Sequence, residues 1–235
     1  MSSNVLIEIC VETVAHAIAA ENGGADRIEL CSDLSSGGIT PSVALMRAAR
    51  EQVRIPIVGM IRPRAGNFIY SDSEFETMKR EIQLAKEIGF DGVVLGLVDQ
   101  TDAMHVDRER TRALVHHAHP LPVTFHRAFD LCADLNDALE SVIATGAMRI
   151  LTSGGKSQAA DGLANLEQLV TTAAGRIGIM PGGGVRVENA EPILRRTRAR
   201  EIHSSLDTTR TSPALFEVKV REFKVAIENI SRSLG

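Results

Sequence analysis

The chain has 235 residues, 44% of them hydrophobic and 24% charged, which is ordinary globular composition with enough apolar material for a large core. Its 26 Lys and Arg against 30 Asp and Glu give a net charge of −4, and no basic stripe with interleaved aromatics appears, so nucleic acid is not an expected partner. No apolar run approaches the roughly 18 residues a membrane helix needs, the N-terminus lacks the order of a signal peptide, and three cysteines fit free thiols in a reducing compartment; the expectation is a cytoplasmic protein without a membrane partner.

Organisation begins at Val5–Cys31. In Val5-Leu-Ile-Glu-Ile-Cys10, residues Leu6, Glu8 and Cys10 share one face and Val5, Ile7 and Ile9 the other. In Asp26-Arg-Ile-Glu-Leu-Cys31, Arg27, Glu29 and Cys31 lie opposite Ile28 and Leu30. The alanine-rich segment Val11–Asn22 between them reads as a helix stopped at Gly23-Gly24. Strand, helix and strand form a right-handed parallel unit, which makes the two strands neighbours and puts Cys10 and Cys31 at the same carboxyl end.

The unit then repeats. Gly24–Leu30 is echoed by Gly89–Leu95, Gly146–Thr152 and, more faintly, Arg198–His203; between these lie Ile55–Arg62, Leu121–His126 and Arg176–Met180. With Val5–Cys10 that makes eight strands, each followed by a helical stretch: after the first, near 41–52, 73–88, 107–118, 134–145, 160–174 and 187–196, with a last helix near 213–232. Thr40-Pro41 reads as a cap and first-turn proline, Ser71 with Glu74 as a capping box, and Asp134 as a helix opener. Eight strand-helix units over about 230 residues is the arithmetic of an α/β TIM (β/α)8 barrel with a C-terminal helix. A doubly wound open sheet is the competing topology. No linker or low-complexity segment divides the chain, so residues 1–235 are read as one domain.

The alternation also assigns an inside. Ile7, Ile28, Ile57, Ile61, Val93, Leu95, Val123, Phe125, Ile150, Ile177, Ile179 and Ile202 fall in the phase that faces the helices. Glu8, Cys10, Arg27, Glu29, Cys31, Met60, Arg62, Thr124, His126, Leu151, Ser153, His203 and Ser205 fall in the phase that faces the barrel axis. Barrel interiors are ordinarily branched and aliphatic, and an unpaired charge there is costly. Two arginines, two glutamates and two histidines therefore imply either a salt-bridged plug, with Glu8–Arg27 and Glu29–Arg62 as its pairs, or a polar cup where these barrels hold their sites.

One functional reading is an enzyme acting on a small phosphorylated or carboxylate substrate by lyase-, isomerase- or hydrolase-like acid/base chemistry. Glu8 or Glu29 would be the base and His126 the acid, with Arg27 and Arg62 steadying an anion. The backbone amides of Gly154, Gly155, Gly182 and Gly183 are candidate anion donors, although tight turns need glycines there as well. Arg64, Arg127 and Asp130 fall on loops at the same rim, and no nucleophile motif or P-loop is present. His116, His117 and His119 end a helix, where cationic groups suit the dipole.

Longer motifs point elsewhere. Arg27-Ile-Glu-Leu-Cys31, Gly37-Gly-Ile-Thr-Pro-Ser42, Ile61-Arg-Pro-Arg-Ala-Gly66, Tyr70-Ser71 with Glu74, Thr124-Phe-His-Arg-Ala-Phe-Asp130, Ile150-Leu-Thr-Ser-Gly-Gly155 and His203-Ser-Ser205 together resemble the CutC family, over about residues 5 to 206. The resemblance implies a cytoplasmic TIM barrel linked to copper homeostasis that forms homo-oligomers, with copper(I) held by two cysteines that map onto Cys10 and Cys31. That chemistry is reasonable, because Cu(I) is soft and favours thiolate and thioether ligands. Met60, His126 or His203 would add a further ligand, and Arg27 and Arg62 would lower the thiol pKa. Cys132 lies in a loop and has no assigned part. The last thirty residues match no motif and are left to packing or assembly.

Overall fold

The computed structural model describes residues 5–100 and 104–234. β1 (Leu6–Val11), α1 (Val14–Gly23), β2 (Arg27–Leu30), α2 (Val43–Gln52), β3 (Ile57–Met60), α3 (Asp72–Ile88) and β4 (Gly92–Leu95) follow the repeating unit. After β4 comes an antiparallel hairpin, β5 (Val98–Gln100) and β6 (Met104–Val106), which the repeat does not foreshadow. The unit then resumes with α4 (Arg108–Ala118), β7 (Val123–Phe125), α5 (Leu135–Thr145), β8 (Arg149–Thr152), α6 (Leu163–Ala173), β9 (Gly178–Pro181), α7 (Val187–Thr197), β10 (Glu201–Ser204) and α8 (Pro213–Leu234). Eight of the strands form one parallel sheet in the order β10-β1-β2-β3-β4-β7-β8-β9. The two end strands, β9 and β10, lie side by side, so the sheet rolls into a nearly closed TIM barrel.

Both faces of every barrel strand are covered. Ile7, Ile9, Ile28, Leu30, Ile57, Ile61, Val93, Leu95, Val123 and Ile202 pack with helix residues such as Ala17, Met46, Met78, Ile82, Leu114 and Ile193 in one outer core. Phe125, Ile150, Ile177 and Ile179 pack with Leu139, Val142 and Leu169 in a second. Each fully buried aliphatic side chain of this kind is worth about 1.5–3 kcal/mol. The period-2 assignment of inside and outside is therefore the one that the packing uses.

Helix ends follow side-chain chemistry. Ser71 and Glu74 form the expected capping box on α3, and Asp134 accepts from the amides of Asn136 and Asp137 at the start of α5. At α2 the cap is Ser42, accepting from Leu45, rather than Thr40; the Thr40 hydroxyl instead accepts from the Arg62 amide and donates to Glu81. The last thirty residues supply the eighth barrel helix. α8 buries Phe216, Val220, Phe223 and Ile227 and packs on α1, where a Cβ on Gly23 would stand 2.6 Å from the Val220 Cβ.

Candidate functional site

The register of β1 and β2 sets the geometry of the interior. Glu8 pairs with Arg27 and Cys10 with Glu29, which leaves Cys31 one pleat above Cys10 rather than beside it. The side chains bridge that step: the Cys10 and Cys31 sulfurs are 3.5 Å apart, and the Cys10 thiol donates to Glu29 Oε1 at 3.1 Å. Both cysteines, with Val58, Met60 and Val94, form a small apolar cluster inside the barrel. The loop after β2 lies over Cys31 because Gly38, at φ +84°, has no Cβ; one would sit 3.4 Å from the Cys31 sulfur and 3.6 Å from Met60 Cε.

Below this level the interior is an ion network. Arg27 donates to Glu8 and to Glu201, both at 2.5 Å, and Glu201 is 3.1 Å from Arg149. Glu8 also accepts from His203 Nδ1 at 2.8 Å. Burial alone would raise the Glu8 pKa, but the His203 hydrogen bond and the Arg27 guanidinium outweigh it and hold the carboxyl at about 2. His203 is pushed upward: burial opposes its charge, and Glu29 and Glu8 overcome that opposition. The expected Glu8–Arg27 pair is present. Arg149, Glu201 and Met180, which donates no charge but contacts Arg27 through its sulfur at 3.5 Å, were absent from the sequence-derived set. Arg149 shares the phase of Leu151, and that signal was available.

Above the network lies a cavity of about 230 Å³, lined by Cys10, Glu29, Met60, Arg62, His126 and His203 among others. Glu8 and Arg27 do not line it; of the five candidate acid/base residues, it gathers Glu29, Arg62 and His126. The expected Glu29–Arg62 pair is not formed. Arg62 donates instead to the carbonyls of Ser36, Gly38 and Gly66 and stacks over Phe68, with its centre 4.6 Å from the ring. Three buried polar atoms on these residues have no hydrogen-bond partner: Glu29 Oε2, Arg62 Nε and His126 Nε2. His126 Nδ1 accepts from the Ala128 amide at 3.2 Å, which fixes the ring proton on Nε2. Burial and the nearby Arg62 charge lower the His126 pKa to about 3, so the ring is neutral and presents a donor.

Two further expectations are corrected. Arg27 and Arg62 are both engaged elsewhere and do not depress the Cys10 thiol; the hydrogen bond with Cys31, burial and the Glu29 carboxyl raise it well above the ordinary value. Burial likewise raises Glu29. Three of the four glycine amides foreseen as anion donors are already engaged within the chain, the Gly155 amide by the Asp130 carboxylate. Asp130 accepts from the amides of Ser153 and Gly155 and from the hydroxyls of Thr152 and Ser153, while the Gly154 amide donates to Thr152 Oγ1 and the Gly182 amide to the Thr152 carbonyl. Of these four glycines only Gly183 borders the cavity, with Arg127 packed against it. Cys132 is buried in the second outer core, away from the other two cysteines.

Comparison with known proteins agrees with the motifs. The CutC family profile matches residues 5–208. The human copper homeostasis protein cutC homolog is 47% identical over 215 residues, spanning 92% of this chain and 78% of its own. A CutC family protein of Xanthomonas axonopodis pv. citri is 44% identical, covering 85% of this chain and 82% of its own. The crystal structure of the copper homeostasis protein CutC of Streptococcus agalactiae superposes with a TM-score of 0.79 at 33% identity, over 86% of this chain and 98% of that one. A thiamine phosphate pyrophosphorylase of Pyrococcus furiosus, 17% identical with a TM-score of 0.66 over 97% of this chain and 98% of its own, shares the barrel fold. On the profile match and these identities, the chain belongs to the CutC family.

Proposed function

We propose that the protein binds copper(I) through Cys10 and Cys31, acting in the cytoplasm and as a homo-oligomer in copper homeostasis. The observation that carries this reading is the 3.5 Å separation of two free, buried thiols on adjoining strands, in a chain whose relatives are named for copper homeostasis. The residues fit the ion. With metal–thiolate bonds of roughly 2.3 Å, sulfurs 3.5 Å apart subtend about 100° at a shared metal, a bent pair with room for one further soft ligand. Met60, clustered with both cysteines inside the barrel, would supply that ligand as a thioether. When bound, copper would be held by these sulfurs, and the thiol protons would leave to solvent. Anaerobic titration with Cu(I) against a competing chelator should show about one tightly held ion per chain. The Cys10→Ser/Cys31→Ser variant should hold none; stoichiometric uptake by that variant would sink the reading.

A second reading, a small carboxylate or phosphorylated ligand with acid/base chemistry, is favoured by the three unpartnered polar atoms that border one cavity. Arg62 Nε and His126 Nε2 offer donors and Glu29 Oε2 an acceptor, so a ligand with two acceptor oxygens and one polar hydrogen would satisfy all three. Glu29 takes the base role foreseen for Glu8 or Glu29, because Glu8 is enclosed by Arg27 and His203. Thermal-shift screening of small carboxylates and phosphates should find compounds that stabilise the wild type and lose their effect in Arg62→Met. A panel that shifts neither protein counts against this reading.

A further inference from the structure

We propose that Cys10, Glu29 and His203 form a separate site for a divalent transition metal of zinc type, with its fourth position open to the cavity. The site shares Cys10 with the copper reading and does not rest on it, since neither Cys31 nor Met60 takes part.

The three residues come from β1, β2 and β10, which are neighbours in the sheet. One sulfur, one carboxylate oxygen and one imidazole nitrogen lie within 4.8 Å of one another, and all three side chains are buried. With bonds of roughly 2.0–2.3 Å, the corners of a tetrahedral site stand about 3.3–3.8 Å apart. The Cys10–Glu29 contact at 3.1 Å is already that close, and no separation in the cluster exceeds 4.8 Å.

Two independent features prepare the donors. Glu29 Oε2 is a buried carboxylate oxygen with no hydrogen-bond partner, an arrangement that costs free energy in the metal-free protein and that a cation would relieve. His203 is oriented from behind: Glu8 accepts from its Nδ1 at 2.8 Å, which leaves Nε2 as the free nitrogen. A carboxylate holding the far nitrogen of a histidine is the usual outer support of a histidine ligand. The ring also has space, because Gly182 has no Cβ; one would stand 3.2 Å from the His203 Cβ.

The donor set selects the ion. One thiolate, one imidazole and one carboxylate are too hard a mixture for Cu(I) and too soft for Mg²⁺ or Ca²⁺, and they match Zn²⁺ or Co²⁺. Three protein ligands with an open fourth position are the pattern of reactive rather than structural zinc. All three residues border the cavity, whose walls also carry Arg62 and His126, so the open position would take water or one oxygen of a small anion. On binding, the Cys10 sulfur loses its proton to solvent, as do the Glu29 carboxyl and His203 Nε2 wherever they carry one, and the metal accepts the three lone pairs; nothing is oxidised or reduced.

The test uses cobalt(II) as the probe on the metal-free full-length protein under anaerobic conditions. The wild type should develop a thiolate-to-cobalt charge-transfer band in the near ultraviolet that saturates at one ion per chain and is bleached by zinc(II). Glu29→Gln, which keeps an acceptor for the Cys10 thiol, should weaken cobalt binding by more than about 10-fold. Cys31→Ser should keep the cobalt band and lose Cu(I). X-ray absorption at the zinc edge of the zinc-loaded wild type, which needs no variant, should find one sulfur with nitrogen and oxygen neighbours. Absence of the thiolate band in the wild type, wild-type cobalt affinity in Glu29→Gln, or two sulfurs at the zinc would each overturn the proposal. Cobalt bound without Cu(I) uptake would remove the copper reading and keep this one.

Discussion

His126 sits neutral beside an arginine, and this has a measurable cost in acid. Its folded pKa of about 3 lies below the ordinary 6.5, chiefly through burial, so between those values the unfolded chain binds a proton that the folded chain refuses. Stability therefore falls as pH falls through that window, and this one group accounts for about 2 kcal/mol between pH 7 and pH 5. Glu8 does not interfere: its pKa is lowered to about 2, so its contribution is present above 4.5 and is lost only as pH drops from 4.5 towards 2. His203, raised, contributes with the opposite slope, but equally in wild type and variant. Urea unfolding at both pH values should show a loss in the wild type that exceeds the loss in His126→Gln by about that amount; equal losses would mean that the ring ionises in the folded state. Alternation in the strands made the inward direction of His126 legible. Its tautomer was not, because the Ala128 amide that fixes it belongs to the turn after β7. The same distinction separates Glu8–Arg27, whose partners face each other on adjoining strands, from Arg62, whose three carbonyl acceptors lie on two loops.

At the scale of elements, the α1–α8 contact in the barrel's outer layer offers a mutagenesis test. Gly23 ends α1 against α8, where an added Cβ would meet Val220 Cβ at 2.6 Å, its Cγ1 at 2.7 Å and the Glu217 carbonyl at 2.9 Å. Backbone cannot yield as a flexible side-chain end does. Gly23→Ala should therefore cost about 1–3 kcal/mol by overpacking, in spite of alanine's better helix propensity, as read from the urea midpoint. An unchanged or raised midpoint would show that the two helices can part without penalty. Most elements announced themselves through caps and apolar period, as Ser71 with Glu74 and Asp134 did. The β5–β6 hairpin did not: its strands are three residues each, too short for alternation to register. The role of α8 was hidden for another reason. A helix that closes the outer layer needs only an apolar stripe, with Phe216, Val220, Phe223 and Ile227 here, and a stripe does not say which neighbour it meets.

For the molecule as a whole, the eight-strand sheet ends at β9 and β10, which share no ladder pairing. What crosses this line is an ion pair. Arg149 on β8 reaches Glu201 on β10 over Gly178 of β9, whose missing side chain leaves the path open; a Cβ there would lie 3.3 Å from the Arg149 Cβ and 3.7 Å from Glu201 Oε1. The first strand and the last helix of the described residues meet the same region. The Leu6 amide donates to the Arg200 carbonyl at 2.9 Å, and Arg198 donates to the carbonyl of Leu234 at 2.7 Å. A ring with one unladdered joint has a natural beginning, and here it is β10 rather than β1. A circular permutant that opens the chain between Arg198 and Arg200 and joins Leu234 to Val5 by a short linker would therefore read its strands in the order in which they pair, from one edge to the other. It should fold with wild-type helicity, whereas an opening between β1 and β2 would remove the α1 crossover that ties these two paired strands together and should be less stable. The strip of paired strands thus begins at β10, one strand-helix unit away from β1.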